Sequence, residues 1–311
     1  MISSITRTQL HYLDILIQQG SFGRAAEHLS ISQPALSMQI QRLEELCGSA
    51  LVNRSSRPIQ ATPFGSSFLP MAQSVLRRFG AMEDLIQDAQ STVSGPLRLA
   101  VIPTIAPYVL PAVLPHFNQA FPDVKLHVEE LPTEALVHAL LQEHLDVGLI
   151  ALPIVQPLTH LKVHTLWDEA LWAYHPPEQF SDAIPLETLE AWPTYLLAKG
   201  HCLREHVLGL CDPNSLDQDS SLHYESGSLE SLMRLVDVQG GITIIPDMAR
   251  AYLSDDRRLR QTSAVLSPLA TRQIVLISKN NSHKKKRIES LKLSLMSYTS
   301  KNPPCAKPIP T

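Results

Sequence analysis

Apolar positions recur at helical spacing through roughly the first sixty residues, then give way to alternating strand-like and helix-like runs. Leu10, Leu13, Leu16 and Ile17 form one stripe that stops at Gly20. Ser21 stands where it can cap a second helix, whose Phe22, Ala25, Ala26 and Leu29 face inward. After Ser30 and Ile31, Ser32 is the N-cap candidate of a third helix. Pro34 falls in its first turn, where a missing N–H costs little. Leu36, Ile40 and Leu43 then line one face at i, i+4 and i+7. Two short helices, a tight break and a polar-faced third helix make a helix-turn-helix pattern. Residues 50–53 and 58–61 predict a short two-stranded wing with Arg54 and Arg57 at its tip.

Residues 64–92 keep an apolar stripe of Phe68, Met71, Ala72, Val75, Phe79, Met82 and Ile86 until Ser94, Gly95 and Pro96 interrupt it. Such a helix must bury its stripe, and a second copy of itself is the economical partner, so a dimerisation helix is expected. Strand-like runs follow at 97–102, 125–130, 146–151, 170–175, 194–198, 242–246 and 272–278. Helical runs alternate with them at 115–121, 135–143, 228–238 and 285–298. The alternation predicts an α/β region with mostly parallel strands, divided into two small sheets with a cleft between them. The expected division is 1–62 for DNA binding, 63–93 for the linker helix, 94–300 for a regulatory region and 301–311 for a tail. Within the regulatory region, about 94–166 and 271–300 form one subdomain and about 167–270 the other. There is no internal repeat and no glycine-rich phosphate loop.

Composition narrows this little. The 311 residues are 44% hydrophobic and 18% charged, with a net charge of −4, so nucleic acid contact has to be local. Residues 1–65 carry five Arg against four acidic residues, and that balance alone is not persuasive. No run approaches the roughly 20 apolar residues of a membrane span, and the first residues lack a secretory pattern. A cytoplasmic protein is the expectation, with its thiols reduced. The four cysteines have no Cys-x-x-Cys spacing and the 13 histidines form no ligand pair, so neither a metal nor a cofactor is expected.

On the third helix, Gln33, Pro34, Ser37, Met38 and Gln41 lie opposite the apolar stripe, where side chains can meet base edges in a major groove. Arg24, Arg54 and Arg57 suit phosphates. The order F-x-R-A-A-E-x-L-x-x-S-Q-P-A-L-S-x-Q-I-x-x-L-E, from Phe22 to Glu44, resembles the winged helix-turn-helix of LysR-type transcriptional regulators. The rest of the chain is similar to that family's linker helix and its two Rossmann-like effector subdomains, of the kind found in periplasmic binding proteins. The resemblance implies double-stranded promoter DNA as partner and a homotetramer built as a dimer of dimers. It also implies RNA polymerase as a partner, in a bacterial cytoplasm close to the nucleoid. Cys47 departs from the family, which carries leucine there; a small core-filling residue is the plain reading.

The segment 199–211, KGHCLREHVLGLC, raises a separate question. A thiolate is the nucleophile, and positive charge or a helix N-terminus lowers a thiol pKa from about 8.5. His201, Arg204 and His206 surround Cys202, and a helix starting near Leu203 would place it at such a terminus. Packing of a small buried hydrophobe is the competing reading. Were residues 202–211 one helix, nine steps would separate the cysteines by about 13.5 Å of rise. A disulfide needs Cα atoms within roughly 4.4 to 6.8 Å, so bonding Cys202 to Cys211 would require that segment to refold. The run G-H-C-L-R at 200–204, the second cysteine at 211, S-L-E at 228–230 and G-I-T at 241–243 resemble the hydrogen-peroxide-sensing members of the LysR type. That resemblance implies a peroxidatic Cys202 and a resolving Cys211. It further implies His201 and Arg204 holding the thiolate, with Thr104, and less directly Thr133, near the bound peroxide. Re-reduction by a cellular dithiol follows from the same resemblance. Glu225, where these members often carry a basic residue, is a departure, as is a loop after Cys211 one residue longer.

Two rivals remain open: a LysR-type regulator with a metabolite in its cleft, and a thiol peroxidase. The basic run 284–287 is expected to be a solvated face. Trp167, Trp172 and Trp192 are expected in cores, and Cys305 in an exposed tail.

Overall fold

In the computed structural model, the described residues are 4–89, 92–180, 183–185, 191–210, 226–267 and 270–301. Cys211, Glu225 and Cys305 lie outside them. The chain folds as two compact units that divide between residues 86 and 87.

In the first unit, α1 (Arg7–Gln19), α2 (Phe22–His28) and α3 (Gln33–Cys47) pack around Leu13, Leu16, Ala25, Leu36, Ile40 and Leu43. Thr6 and Gln9 form a capping box at the start of α1, which the apolar pattern alone does not reveal. Gly20 ends that helix at φ 62°, a left-handed turn that glycine adopts without steric cost. Ser32 caps α3 by accepting the Ala35 amide. Ser21 occupies the cap position of α2 but makes no side-chain bond there, contrary to expectation. The wing is the antiparallel pair β1 (Val52–Asn53) and β2 (Gln60–Ala61), shorter than predicted. α4 (Pro63–Ala89) follows. Its Met71, Met82 and Ile86 stay exposed in the single chain, on the stripe for which a second copy was the expected partner.

The second unit contains β3 (Gly95–Val101), α5 (Ala106–Ala120), β4 (Val124–Glu130), α6 (Thr133–Leu141) and β5 (Val147–Leu152). Next come β6 (Leu161–Tyr174), β7 (Ala183–Pro185), β8 (Thr194–Tyr195), α7 (Cys202–Leu210), α8 (Leu229–Gln239) and β9 (Ile242–Pro246). It ends with α9 (Asp247–Ala251), α10 (Asp255–Arg260), β10 (Thr262–Leu266), β11 (Thr271–Lys279) and α11 (Lys285–Lys301). Strand order is β4-β3-β5-β11-β6-β10-β7, with β9 joining β6 to β8.

The sheet is mixed rather than mostly parallel. β3 runs parallel to β4 and β5, but β11 runs antiparallel to both of its neighbours, β5 and β6. The reason is that β6 is one long strand shared by both halves. Its first residues pair with β11 and its last with β9 and β10. Two separate cores result. One gathers around Leu99, Val109, Phe117, Leu149 and Leu276, the other around Trp172, Leu232, Val236 and Ile244. Trp167 and Trp172 are buried in these cores and Trp192 packs against the second.

α5 starts nine residues earlier than the predicted 115–121 and contains both Pro111 and Pro115. Proline removes a helix N–H, but Pro107, Pro111 and Pro115 fall on one exposed stripe, where water can satisfy the carbonyls left over. The basic run 284–287 is not a solvated face throughout. Lys284 is buried and pairs with Asp146 at 2.8 Å, and Arg287 is buried and donates to the Pro96 carbonyl at 2.8 Å.

Candidate functional site

Cys202 is the first residue of α7 and is 4% exposed. A helix leaves its first N–H groups without intrahelical acceptors. The Cys202 amide finds one in Thr133 Oγ1, at 3.3 Å, from the first residue of α6. Thr133 is itself buried, as is Thr104 in the turn between β3 and α5.

A fully buried arginine links Thr104 to the neighbouring strand β6. Arg272 donates from Nη1 to Thr104 Oγ1 at 2.9 Å and from Nη2 to the Thr104 carbonyl at 3.2 Å. Its Nε donates to Glu169 Oε2 at 2.8 Å, between directly opposed residues of β11 and β6. Glu169 Oε1 in turn accepts the Met248 amide at 2.7 Å. Burial pushes the Glu169 carboxyl up, with the Arg272 charge pulling against it. A buried charge is tolerable only when paired in this way. Neither Arg272 nor Glu169 stands out in the sequence. The available signal was a charge placed beside an apolar run, in RQIVLIS and in DEALW.

The histidines around Cys202 behave differently from the sequence expectation. His201 and His206 are both buried, and burial pushes both imidazoles below their usual 6.5, His206 to about 4. At neutral pH both are uncharged, so neither supplies the positive charge expected of it. His206 Nε2 lies 2.7 Å from the Pro153 carbonyl. Arg204 is half-buried, and its Nη1 donates to the Leu197 carbonyl at 3.1 Å. Among the described residues, neither His201 nor Arg204 hydrogen-bonds Cys202. A permanent cation close by is Arg272, whose charge acts on the His206 ring one turn after Cys202.

Cys211 lies outside the described residues, yet covalent geometry limits its distance. The eight steps from Cys202 to Leu210 in α7 rise about 12 Å. One further Cα lies about 3.8 Å on, so the two cysteine Cα atoms stay at least about 8 Å apart while α7 is intact. That exceeds the roughly 4.4 to 6.8 Å of a disulfide. A bond between these two cysteines would require part of α7 to unwind.

In the first unit, Gln33, Pro34, Met38 and Gln41 are exposed on α3, opposite Leu36, Ile40 and Leu43. Ser37 is half-buried and accepts Arg54 Nη1 at 3.3 Å. Arg54 also donates to Glu44 Oε2 at 2.9 Å and stacks over Phe22, so it ties the wing to α3. Glu44 Oε1 receives the amides of Leu51 and Val52 at 2.8 and 3.1 Å. Arg24 and Arg57 are exposed. Among the described residues, no His, Cys, Asp and Glu group could hold a metal ion, and no helix is long and apolar enough to cross a membrane.

Comparison with known proteins follows this division of the chain. Residues 8–66 match the bacterial regulatory helix-turn-helix protein of the lysR family, and residues 90–296 match the LysR substrate binding domain. The chain is 34% identical to the DNA-binding transcriptional dual regulator OxyR of Escherichia coli over 244 residues, 77% of this chain and 78% of the relative. A full-length OxyR from Pseudomonas aeruginosa with a cysteine-to-aspartate substitution superposes with a TM-score of 0.71 at 28% identity, covering 94% of this chain and 95% of the other. A hydrogen-peroxide-bound OxyR from Corynebacterium glutamicum with a cysteine-to-serine substitution gives 0.61 at 29%, covering 97% and 94%. The chain therefore belongs to the LysR family of regulatory helix-turn-helix proteins, in the branch that contains OxyR.

Proposed function

We propose that this chain is a peroxide-responsive transcription activator in which Cys202 is the peroxidatic thiol and Cys211 the resolving one. The observation that carries the reading is the setting of Cys202. It opens a helix, its amide is bound by Thr133, and Arg272, close enough to act on His206 of the same helix, holds the Thr104 hydroxyl. In the first step the Cys202 thiolate attacks one peroxide oxygen. The S–O bond forms as the O–O bond breaks, the sulfur is oxidised to sulfenic acid, and hydroxide leaves to become water. Arg272 and the Thr104 hydroxyl stabilise the charge that develops on the leaving oxygen. In the second step the Cys211 thiolate attacks the Cys202 sulfur, forming the disulfide and releasing a second hydroxide. His201 and Arg204 shape the pocket around the thiol.

Because the disulfide cannot form on an intact α7, oxidation reorganises the segment that follows it and changes the regulatory unit. The winged helix-turn-helix places Gln33, Pro34, Ser37, Met38 and Gln41 against base edges of promoter DNA, with Arg24 and Arg57 on phosphates and Arg54 bracing the wing. Exposed Met71, Met82 and Ile86 on α4 pair two chains, and two such pairs make the tetramer. The protein works in the cytoplasm, recruits RNA polymerase at antioxidant genes and is reset by a cellular dithiol. The test is thiol mapping by mass spectrometry after a near-stoichiometric dose of hydrogen peroxide. A Cys202–Cys211 crosslink within seconds, with Cys47 and Cys305 free, is expected. Cys202 remaining alkylatable under excess peroxide would overturn the reading and turn attention to a ligand in the cleft.

A further inference from the structure

We infer that His206 is a further catalytic residue, whose bare Nδ1 accepts a hydrogen bond from the peroxide at Cys202. The inference rests on the reading of Cys202 as the peroxidatic thiol. His206 lies four residues after Cys202 on α7, so the two side chains share one helix face with Cβ atoms about 6 Å apart. Both are buried, at 6% and 4% exposure.

The tautomer follows from the neighbour. The Pro153 carbonyl can only accept, so His206 Nε2, 2.7 Å away, carries the proton. Nδ1 of the neutral ring then bears a lone pair. It is buried and has no partner among the described residues. Buried polar atoms are nearly always satisfied, and such an exception calls for an occupant.

Hydrogen peroxide is the occupant that fits. Its two O–H groups need acceptors. Arg272 has only donors, and Thr104 Oγ1 already accepts from Arg272, which turns its own proton outward as a donor. His206 supplies the missing acceptor, and the Arg272 charge is close enough to act on its ring. Magnitude separates accepting a hydrogen bond from taking a proton. A ring held down to about 4 can accept a hydrogen bond at neutral pH but does not hold a proton there. His206 therefore orients the peroxide for the Cys202 thiolate, and Cys–S⁻ and HOOH give Cys–SOH and hydroxide, which takes a proton from solvent to become water.

The test uses the reduced full-length protein and two reagents, hydrogen peroxide and iodoacetamide, with Cys202 modification followed by mass spectrometry. His206→Met fills the space without a hydrogen-bonding N–H or ring nitrogen, whereas His206→Gln offers an amide N–H to Pro153 and an oxygen beside it. The Met variant is expected to react with peroxide about tenfold more slowly, the worth of one hydrogen bond, with its alkylation unchanged. The Gln variant should recover most of the rate. An unchanged peroxide rate in His206→Met would overturn the inference and leave Nδ1 to a buried water. So would equal slowing with both reagents, because the residue would then act through packing or thiol ionisation. A wild type that alkylates but ignores peroxide would remove the earlier reading as well, a result distinct from either variant outcome.

Discussion

Arg272 donates a 2.9 Å hydrogen bond to the side chain of Thr104, joining residues 168 positions apart in the buried interior of the regulatory unit. The bond fixes the direction of the Thr104 hydroxyl proton, since an oxygen accepting from a guanidinium must point its own hydrogen elsewhere. Thr104→Val keeps the shape and removes the hydroxyl. Oxidation of Cys202 by peroxide, followed by quenched mass spectrometry, should slow by about ten- to a hundredfold, a loss at or below that of one donor to a developing oxyanion. Stability should fall by about 1–3 kcal/mol, because one Arg272 N–H is left buried without its acceptor. A Val variant oxidised at the wild-type rate would remove Thr104 from the reaction.

The Glu169–Arg272 pair has no exposure at either side chain. Removing one partner leaves an uncompensated buried charge. Glu169→Leu alone should therefore cost about 3–5 kcal/mol in urea unfolding, and so should Arg272→Met alone. The double replacement should regain most of that loss, since two apolar side chains of similar volume need no solvation. Peroxide reactivity should stay low in the double variant. Recovery of both properties together would show Arg272 to be scaffold only.

These contrasts explain how much the sequence disclosed. The helices of the first unit were legible because Leu36, Ile40 and Leu43 repeat locally, and Ser32 announces where the third of them starts. α5 was cut short by Pro111 and Pro115, whose exposure on one stripe is invisible without the fold. Residues 161–169 of β6 were missed because Lys162, His164, Thr165, Asp168 and Glu169 interrupt any apolar run, so the stretch lacks a strand's apolar signal. Within the site, Cys202 stood out through its neighbours in sequence. Arg272 and Glu169 did not, since their significance lies in contacts 168 and 103 positions away. The expected histidine charges failed for a related reason, because burial is a property of the fold.

Burial of His206 also sets a pH dependence. Its folded value near 4 lies below the usual 6.5, so between those values the unfolded chain binds the proton and the folded chain does not. Stability thus falls as pH drops from about 6.5 towards 4, by on the order of 3 kcal/mol from this residue. His201, His175 and His164 are lowered by burial too and add to the slope. Urea unfolding at about pH 7.5 and about pH 5 should show the loss, and His206→Met should shrink the difference between the two conditions. An equal difference in the variant would place the slope elsewhere.

On the DNA-binding unit, Arg54 and Glu44 form an ion pair that is half-exposed on the arginine side, yet their roles are unequal. Arg54→Ala should cost under about 1 kcal/mol in stability, the usual worth of an exposed pair. Glu44→Ala should cost about 1–3 kcal/mol, because the Leu51 and Val52 amides also lose their acceptor. Both should weaken promoter binding in a gel-shift or fluorescence titration by freeing the wing. Equal destabilisation by the two substitutions would contradict the amide bonds as the main contribution.

Gly209 lies within α7, and a methyl group built on it meets nothing within 4 Å. Its backbone is helical rather than left-handed, so alanine fits without strain. Glycine in a helix interior is less favourable than alanine by about 0.8–1 kcal/mol. Gly209 is the penultimate residue of α7, so Gly209→Ala should stabilise it by at most that amount. The proposed disulfide would require part of α7 to unwind, and unwinding the end nearest Cys211 would bring that thiol back towards Cys202. The same increment then opposes the oxidised form. Its equilibrium population against a dithiol buffer should fall by up to about fourfold to fivefold, which thiol mapping across a redox series would detect. The first step, at Cys202 on the helix start, should keep its rate, because no unwinding precedes attack on peroxide. An unchanged redox equilibrium would mean that Gly209 stays helical in the disulfide form, with the unwinding confined to the turn that carries Cys202.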